Sequence, residues 1–327
     1  MTNIEGLRSK RAIGVGLILI SILTVLSYSI LGNPQSASAV VSLQSRPTIQ
    51  PQTDLGSGSK GDDIANKDAT SSHGSDGSHH PQVSHYPDLK HSPHGKADLV
   101  WDTKHDTLTV TITISGLAPN STHPAHIHKG SCEASDNGVL YPLNAVVADN
   151  SGTSTSETTI QQVENGIPAS GWFINVHNGP TLSPDIQKTP IGCGDIINFN
   201  TSTSTNQSVD LALGPTQNAN QAANGVATLS LDNNQFRVTI TASGLEPNSK
   251  HQAHIHQGSC RSQGPVVYPL NPVIVDNNGN GTSRTIIHNV TSIPGNWYVN
   301  VHLAATPAEL NTQTGFDPLA CGDVNPE

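Results

Sequence analysis

Hydrophobic and polar residues alternate one by one along two stretches of the chain. Val110, Ile112 and Ile114 alternate with threonines, and Val238 and Ile240 do the same in the second stretch. Side chains two residues apart lie on one face of a strand, so the pattern predicts strands with one buried face. Short turn segments such as Gly-Leu-x-Pro-Asn-Ser interrupt these runs, and no sustained helical period follows residue 40. The pattern therefore predicts an all-β protein of sandwich or Greek-key barrel type.

The two stretches belong to an internal duplication. LTVTITISGLAPNSTHPAHIHKGSC (108–132) aligns without gaps with FRVTITASGLEPNSKHQAHIHQGSC (236–260), at an offset of 128. Later blocks recur as well, with Asn-Val-His and Cys-Gly-Asp in each half. A repeat of this length predicts two tandem domains rather than a solenoid unit. We expect them to span 96–200, called the first copy, and 208–327, called the second copy.

The N-terminal 39 residues have the pattern of an export segment. Basic residues up to Arg11 precede an uncharged, largely apolar run over 12–31, and Ala37-Ser-Ala39 resembles a signal-peptidase site. The apolar run is also long enough to cross a bilayer. A cleaved signal peptide and an uncleaved membrane anchor therefore both stay open for 1–39. Either one predicts an extracytoplasmic protein, secreted or anchored at the outer face of the cytoplasmic membrane.

Residues 40–95 lack apolar periodicity and are rich in Ser, Gly, Asp, Gln and Pro, which predicts a disordered linker. The linker is rich in histidine, and two interpretations stay open: a tract that gathers metal ions, or a solubilising tether. Its histidines are His73, His79, His80, His85, His91 and His94. Between the copies, the alternating segment 208–213 is predicted to be the first strand of the second copy, and no equivalent strand is evident in the first copy.

The four cysteines are distributed as one pair per copy, with the same separation of 61 residues. Four cysteines allow three pairings, and the duplicated spacing favours Cys132–Cys193 and Cys260–Cys321. Disulfides fit the predicted extracytoplasmic location. The net charge of −10 and the absence of any basic stripe after residue 12 exclude nucleic acid as an expected partner.

Histidines provide the candidate chemistry. Each copy has a His-x-His pair in a predicted strand, which places both imidazoles on one face, and a third histidine in a later strand. If the two strands are neighbours, three imidazoles converge, a ligand set suited to copper or zinc. The recurrence of all three in both copies favours a ligand role. The predicted ligands are His126, His128 and His177 in the first copy and His254, His256 and His302 in the second.

His123 and His251 precede the first predicted ligands by three residues. In a continuous strand this spacing directs them away from the metal. We expect them to support the site by hydrogen bonds to the backbone rather than to bind the metal.

These segments resemble copper/zinc superoxide dismutases, particularly the secreted bacterial branch. His-Pro-Ala-His-Ile-His-Lys-Gly-Ser-Cys, ending at Cys132, is similar to that family's His-Gly-Phe-His-Val-His…Ser-Cys segment. Val301-His302 and Leu-Ala-Cys321-Gly are similar to its C-terminal motifs. The resemblance implies a dismutase-like Greek-key fold, copper at the six histidines named above, supporting roles for His123 and His251, and the same disulfides. It covers roughly 97–200 and 208–327.

The sequence departs from that family in three ways. The loop that carries the bridging histidine and the zinc ligands is missing, so zinc in the family's usual site is not expected. The arginine that guides superoxide has no counterpart, and Asp317 near its position is expected to repel an anion. The same His-Ile-His-x-Gly and Val-Asn-Val-His segments also resemble the chordin-type repeat domain, a β module.

Three functions are consistent with these patterns. The first is a copper-dependent superoxide dismutase, with superoxide as substrate. The second is a non-catalytic protein that buffers or delivers copper ions outside the cytoplasm. The third is a structural β module of the chordin-repeat type, in which the histidines only pack. The sequence leaves the enzymatic activity and the oligomeric state undecided.

Overall fold

A computed structural model describes residues 83–134 and 138–324. These residues form antiparallel β-sheets with two α-helices of four residues and one 3-10 helix, which confirms the predicted all-β class. Within the described ranges, no helix is long and apolar enough to cross a membrane. The predicted signal or anchor at 1–39, and the linker up to residue 82, lie outside them.

The strands up to the segment between the copies are named in chain order. They are β1 (Val83–His85), β2 (Asp88–His91), β3 (His94–Asp102), β4 (Thr107–Ser115), β5 (Thr122–Lys129), β6 (Val139–Val147), β7 (Ser154–Ile160), β8 (Trp172–His177), β9 (Pro190–Ile196) and β10 (Gln207–Leu213). Helix α1 (Asp185–Lys188) precedes β9.

The second copy continues the numbering. Its strands are β11 (Asn224–Asp232), β12 (Gln235–Ser243), β13 (Lys250–His251), β14 (Ala253–Gly258), β15 (Gln263–Pro269), β16 (Val273–Val275), β17 (Gly281–His288), β18 (Trp297–His302) and β19 (Pro318–Val324). The 3-10 helix η1 (Glu309–Asn311) and helix α2 (Gln313–Phe316) precede β19.

The first copy is a sandwich of two four-stranded sheets, ordered β10-β3-β4-β7 and β6-β5-β8-β9. In the second copy the corresponding strands follow the same pattern, with β11, β12 and β17 in one layer and β15, β14, β18 and β19 in the other. There β2 joins the two layers into one continuous sheet. Alternating side chains fill the space between the layers, as the buried positions Leu108, Val110 and Ile112 of β4 illustrate.

The segment between the copies does not join the second copy. β10 pairs along its full length with β3 of the first copy, from Gln207 opposite Trp101 to Leu213 opposite Gly95. The prediction that this segment is the first strand of the second copy is therefore wrong. Its alternating pattern identifies a buried face, but that face fits the edge of either sandwich, so the pattern does not specify the partner strand.

The converse holds for the strand that precedes the first copy. β2 lies between β11 and β19 of the second copy, with Leu89 opposite Gly225 and Lys90 opposite Cys321. β1 also pairs with β11. The part of the predicted disordered linker that lies in the described residues, 83–95, therefore forms strands. Each copy receives its first strand from the sequence region of the other, and we call this arrangement the strand exchange.

The two hydrophobic cores reflect the strand exchange. Leu89 of β2 is 1% exposed and packs in the core of the second copy. Val209 and Leu213 of β10 pack in the core of the first copy. Both copies lie within one compact unit, Gly74–Glu327. Neither core is complete without side chains from the other copy's sequence region.

The structure contains one disulfide in each copy, in the pairing that the duplicated spacing favours. Cys132 is bonded to Cys193, and Cys260 to Cys321, each across 61 residues. The described residues contain no free cysteine. Disulfides are stable in oxidising compartments, so they indicate an extracytoplasmic location.

Candidate metal centres

The His-x-His pair of the first copy lies on β5. Ala125 and Ile127 of this strand are buried in the core, and His126 and His128 extend from the opposite face. The alternation that buries the apolar residues therefore places both imidazoles on the same side. Their ring centroids are 5.6 Å apart.

The third histidine reaches this face through strand pairing. β8 lies antiparallel to β5, with Asn175 opposite His126 and Phe173 opposite His128. His177, at the end of β8, then lies 5.1 Å from His126 and 6.0 Å from His128 between ring centroids. One ring nitrogen of each histidine can come within 4.8 Å of the others, so the three could hold one metal ion.

The second copy repeats this geometry on β14 and β18. The ring centroids of His254, His256 and His302 are separated by 5.5, 5.0 and 5.4 Å. Their ring nitrogens form a second group that could hold a metal ion. The structure thus brings all six predicted ligand residues into two triads, one in each copy.

Backbone carbonyls fix the ring orientation of several of these histidines. His177 Nδ1 donates to Lys188 O at 2.6 Å, and His302 Nδ1 donates to Phe316 O at 2.7 Å. His256 Nδ1 donates to Gly264 O at 3.0 Å. A carbonyl can only accept, so Nδ1 carries the hydrogen and Nε2 of each neutral ring keeps its lone pair. Such bonds orient metal-ligating histidines in proteins.

The lone pairs face each other in the second copy. Nε2 of His256 and Nε2 of His302 are 3.3 Å apart, and both Nδ1 atoms already donate to carbonyls. Two bare nitrogens at this distance repel each other unless a cation or a proton lies between them. His254 Nδ1 is buried and has no hydrogen-bond partner among the described residues. The second triad therefore has the electronic properties of a cation site.

The first triad has unsatisfied nitrogens of its own. His126 Nδ1 can donate to His177 Nε2 at 3.1 Å, because His177 Nδ1 is already the donor to Lys188, so the unsatisfied nitrogens are those of His128. Both ring nitrogens of His128 are buried and make no well-aligned hydrogen bond among the described residues, although the backbone of Gly138 is close enough to raise its pKa against the larger lowering by burial. A buried, unpaired polar atom destabilises the fold, and a metal ion would satisfy it.

Burial keeps the imidazoles neutral. Desolvation, with a smaller contribution from neighbouring histidines, lowers the pKa of His126 and of His256 to about 4. Burial also lowers the pKa of His128, His177 and His254, and that of His302 well below its ordinary value. A metal ion binds the neutral imidazole, so at neutral pH these rings are in the ligating form.

His123 and His251 lie on the core side of their strands and face away from the triads. His123 Nδ1 donates to His177 O at 2.8 Å, and its Nε2 contacts Ser121 Oγ at 2.7 Å. His251 makes the equivalent bonds to His302 O and Ser249 Oγ. Each therefore holds the backbone of the third histidine in its copy.

Three aromatic residues beside the triads were not among the predicted site residues; two of them occupy equivalent positions in the two copies. Phe173 stacks on His128 with centroids 5.1 Å apart, and Tyr298 stacks on His256 at 4.9 Å. The repeat carried a signal for this pair, because both follow a tryptophan and precede the Asn-Val-His segment. Phe316, which contacts His302 with ring centroids 4.7 Å apart, had no such signal, because the first copy has Lys188 at that position.

Asp317 differs from its predicted role. Its side chain is 2% exposed, and burial raises the pKa of its carboxyl well above the usual range. Burial disfavours the charged form of this carboxyl, and the side chain presents no exposed charge that would repel an anion, contrary to the expectation for Asp317. The sequence indicated an acidic residue but not its burial.

Three histidines of the predicted linker also have defined places. His91 Nε2 donates to Ile191 O at 3.2 Å, His85 is buried, and His94 begins β3. None of the three belongs to a triad. The other linker histidines, His73, His79 and His80, lie outside the described residues.

Comparison with known proteins identifies the family. No curated protein matches the chain. The CHRD domain model matches residues 78–180 and 199–310, about two thirds of the chain. The first match contains β2, which pairs with the second copy, and the second match contains β10, which pairs with the first copy. The match agrees with the chordin-type resemblance and gives no support for assignment to the dismutase family. The chain belongs to the CHRD domain family and carries two CHRD domains in tandem.

Proposed function

We propose that this protein is an extracytoplasmic copper-binding protein that holds one copper ion at the three-histidine triad of each CHRD domain. The observation that carries the proposal is the pair of bare Nε2 atoms of His256 and His302, 3.3 Å apart. Nearby carbonyls already take up the hydrogens of both rings, so a cation between the nitrogens relieves the repulsion.

The donor set favours copper over other metals. Three neutral imidazoles, with no thiolate because every described cysteine is in a disulfide, suit Cu(II) or Zn(II). Among divalent first-row metals, copper binds a given nitrogen site most tightly. In the metal-bound state, His123 and His251 would keep the third histidine of each triad in position.

Copper stoichiometry of the full-length protein tests this proposal. Equilibrium dialysis against Cu(II), followed by metal analysis, should show that His128→Ala and His256→Ala each remove one tightly bound copper. The double variant should lose two. His105→Ala is the matched control, because His105 is exposed and pairs with Asp102 away from both triads. Equal copper content in wild type and the double variant would contradict the proposal.

Superoxide dismutation is a second candidate, which the exposure of His126 favours. A copper ion held by three histidines with one side open to solvent could bind and reduce or oxidise a small anion. The copper-loaded protein should then accelerate superoxide decay, and His128→Ala should lose that activity. A rate no higher in wild type than in the double variant His128→Ala, His256→Ala would exclude dismutase activity, while the copper stoichiometry would stand.

A further inference from the structure

The two triads differ in their access to solvent. In the second copy His256 and His302 are both 0% exposed, and His254 keeps 8% of its surface. In the first copy His126 is partly exposed, and His128 and His177 keep 9% and 6% of their surface. The ring triangles are nearly the same size, and the copies differ in a residue that lies against the rings.

Phe316 covers the rings of the second copy, and the equivalent residue of the first copy is Lys188. Each lies five positions before the second disulfide cysteine of its copy, and the carbonyl of each accepts from Nδ1 of the third histidine. The Phe316 ring packs against His302 and lies 6.1 Å from His256 between centroids. The Lys188 side chain is 57% exposed and pairs with Asp185, so it leaves the first triad open.

The segment Glu309–Phe316, which we call the lid, is attached to the other copy. Gln313 Oε1 accepts from Thr122 N at 2.9 Å, and its Nε2 donates to Thr122 O at 2.8 Å and to Asn178 O at 3.3 Å. Thr122 and Asn178 adjoin His123 and His177 of the first copy. The lid of the second triad is therefore fastened to the strands that build the first.

The corresponding segment of the first copy has no such attachment through its side chains. Asp185, at the position equivalent to Gln313, pairs with Lys188 at 2.8 Å in the same short helix. Gln187 accepts from Thr181 Oγ1 at 2.6 Å, again within the segment. Its polar side chains bond locally, and its ring-covering residue is absent.

We propose that the lid closes the second triad and that Gln313 is the positioning residue that holds it closed, so that the second copy retains its metal while the first copy exchanges metal with solution. This inference rests on the proposed function. A metal ion can enter or leave the second triad only after Phe316 moves away, and this movement requires the Gln313 bonds to break. The first triad needs no such step.

Release kinetics of the copper-loaded full-length protein test the inference. Copper transfer to excess EDTA should show a fast and a slow phase. His126→Ala should remove the fast phase and His254→Ala the slow one. Gln313→Ala should accelerate only the slow phase, by about tenfold or more, because three hydrogen bonds to neutral groups are lost. Asp185→Ala, at the equivalent position of the first copy, should change neither phase.

The outcomes separate the lid from the metal sites themselves. A single phase of release for two bound copper ions, or a slow phase unaffected by Gln313→Ala, would overturn the lid while leaving the proposed function intact. Failure to bind copper at equilibrium would overturn both. Phe316→Ala provides a second test: if it still binds two copper ions, its slow phase should approach the fast one, and an unchanged slow phase would contradict the inference.

Discussion

The two copies share the parts that position the imidazoles and differ in the parts that cover them. Strand pairing, the disulfide, and the carbonyl that accepts from Nδ1 of the third histidine are the same in both. Phe316 packs over the rings of the second copy, and the equivalent Lys188 leaves those of the first open. Strand register therefore determines the geometry of the triad, whereas a short segment determines its access to solvent. A duplicated domain can therefore vary the second property and keep the first.

Of the changes that test how the two copies depend on each other, removing a disulfide should lower the folding stability most. Each bond closes a loop of the same length, so Cys132→Ser with Cys193→Ser, and Cys260→Ser with Cys321→Ser, should each cost about 4 kcal/mol. Because strands are exchanged, either pair should shift one common unfolding transition, measured by circular dichroism in urea. Two transitions, one of them unaffected, would show that the copies unfold independently.

Core substitutions should test the strand exchange directly. Leu89→Ala and Leu213→Ala each remove a buried leucine from an exchanged strand and should cost about 3 kcal/mol. Hydrogen exchange should then detect lost protection in the opposite copy, in β11 and β19 for Leu89→Ala and in β3 for Leu213→Ala. Loss of protection confined to the copy next in sequence would refute the exchange.

Lowering the pH should have a smaller effect, a loss of folding stability that differs between the two copies. In the metal-free folded protein, burial holds the pKa of His126 and of His256 at about 4, so both rings stay neutral down to that pH. In the unfolded chain the same histidines have the ordinary pKa of 6.5 and take up protons below it. Stability should be constant above about pH 6.5 and fall as the pH drops towards 4, by roughly 1–3 kcal/mol for each histidine.

Although both pKa values are about 4, solvent screens the partly exposed His126, so the fully buried His256 should account for more of this loss. Urea unfolding at several pH values should therefore show a flatter profile for His256→Gln than for His126→Gln. If wild-type stability were the same at pH 7 and pH 4.5, the triads would not be held neutral by burial.

The sequence contained most of the site and part of the fold. The period of two predicted β4, β5 and β12, and the repeat distinguished His126 and His128 from incidental histidines. It could not predict β2, where Leu89 is one apolar residue among polar ones. Nor could it assign the partner of β10, because strand pairing depends on which sheet edge is free after folding. The lid was hidden because Phe316 has no counterpart in the other copy.

The position of β2 between β11 and β19 affects the order in which the chain can fold. Synthesis proceeds from the N-terminus, and the first copy receives its closing strand, β10, as soon as residue 213 has been made. β2 is among the earliest of the described strands to be made, but its neighbour β19 ends at Val324. An early segment must therefore stay unpaired on that side until β19 has been made. Native pairing of β2 thus requires synthesis to reach β19, and a product truncated before β19 leaves this edge of β2 exposed.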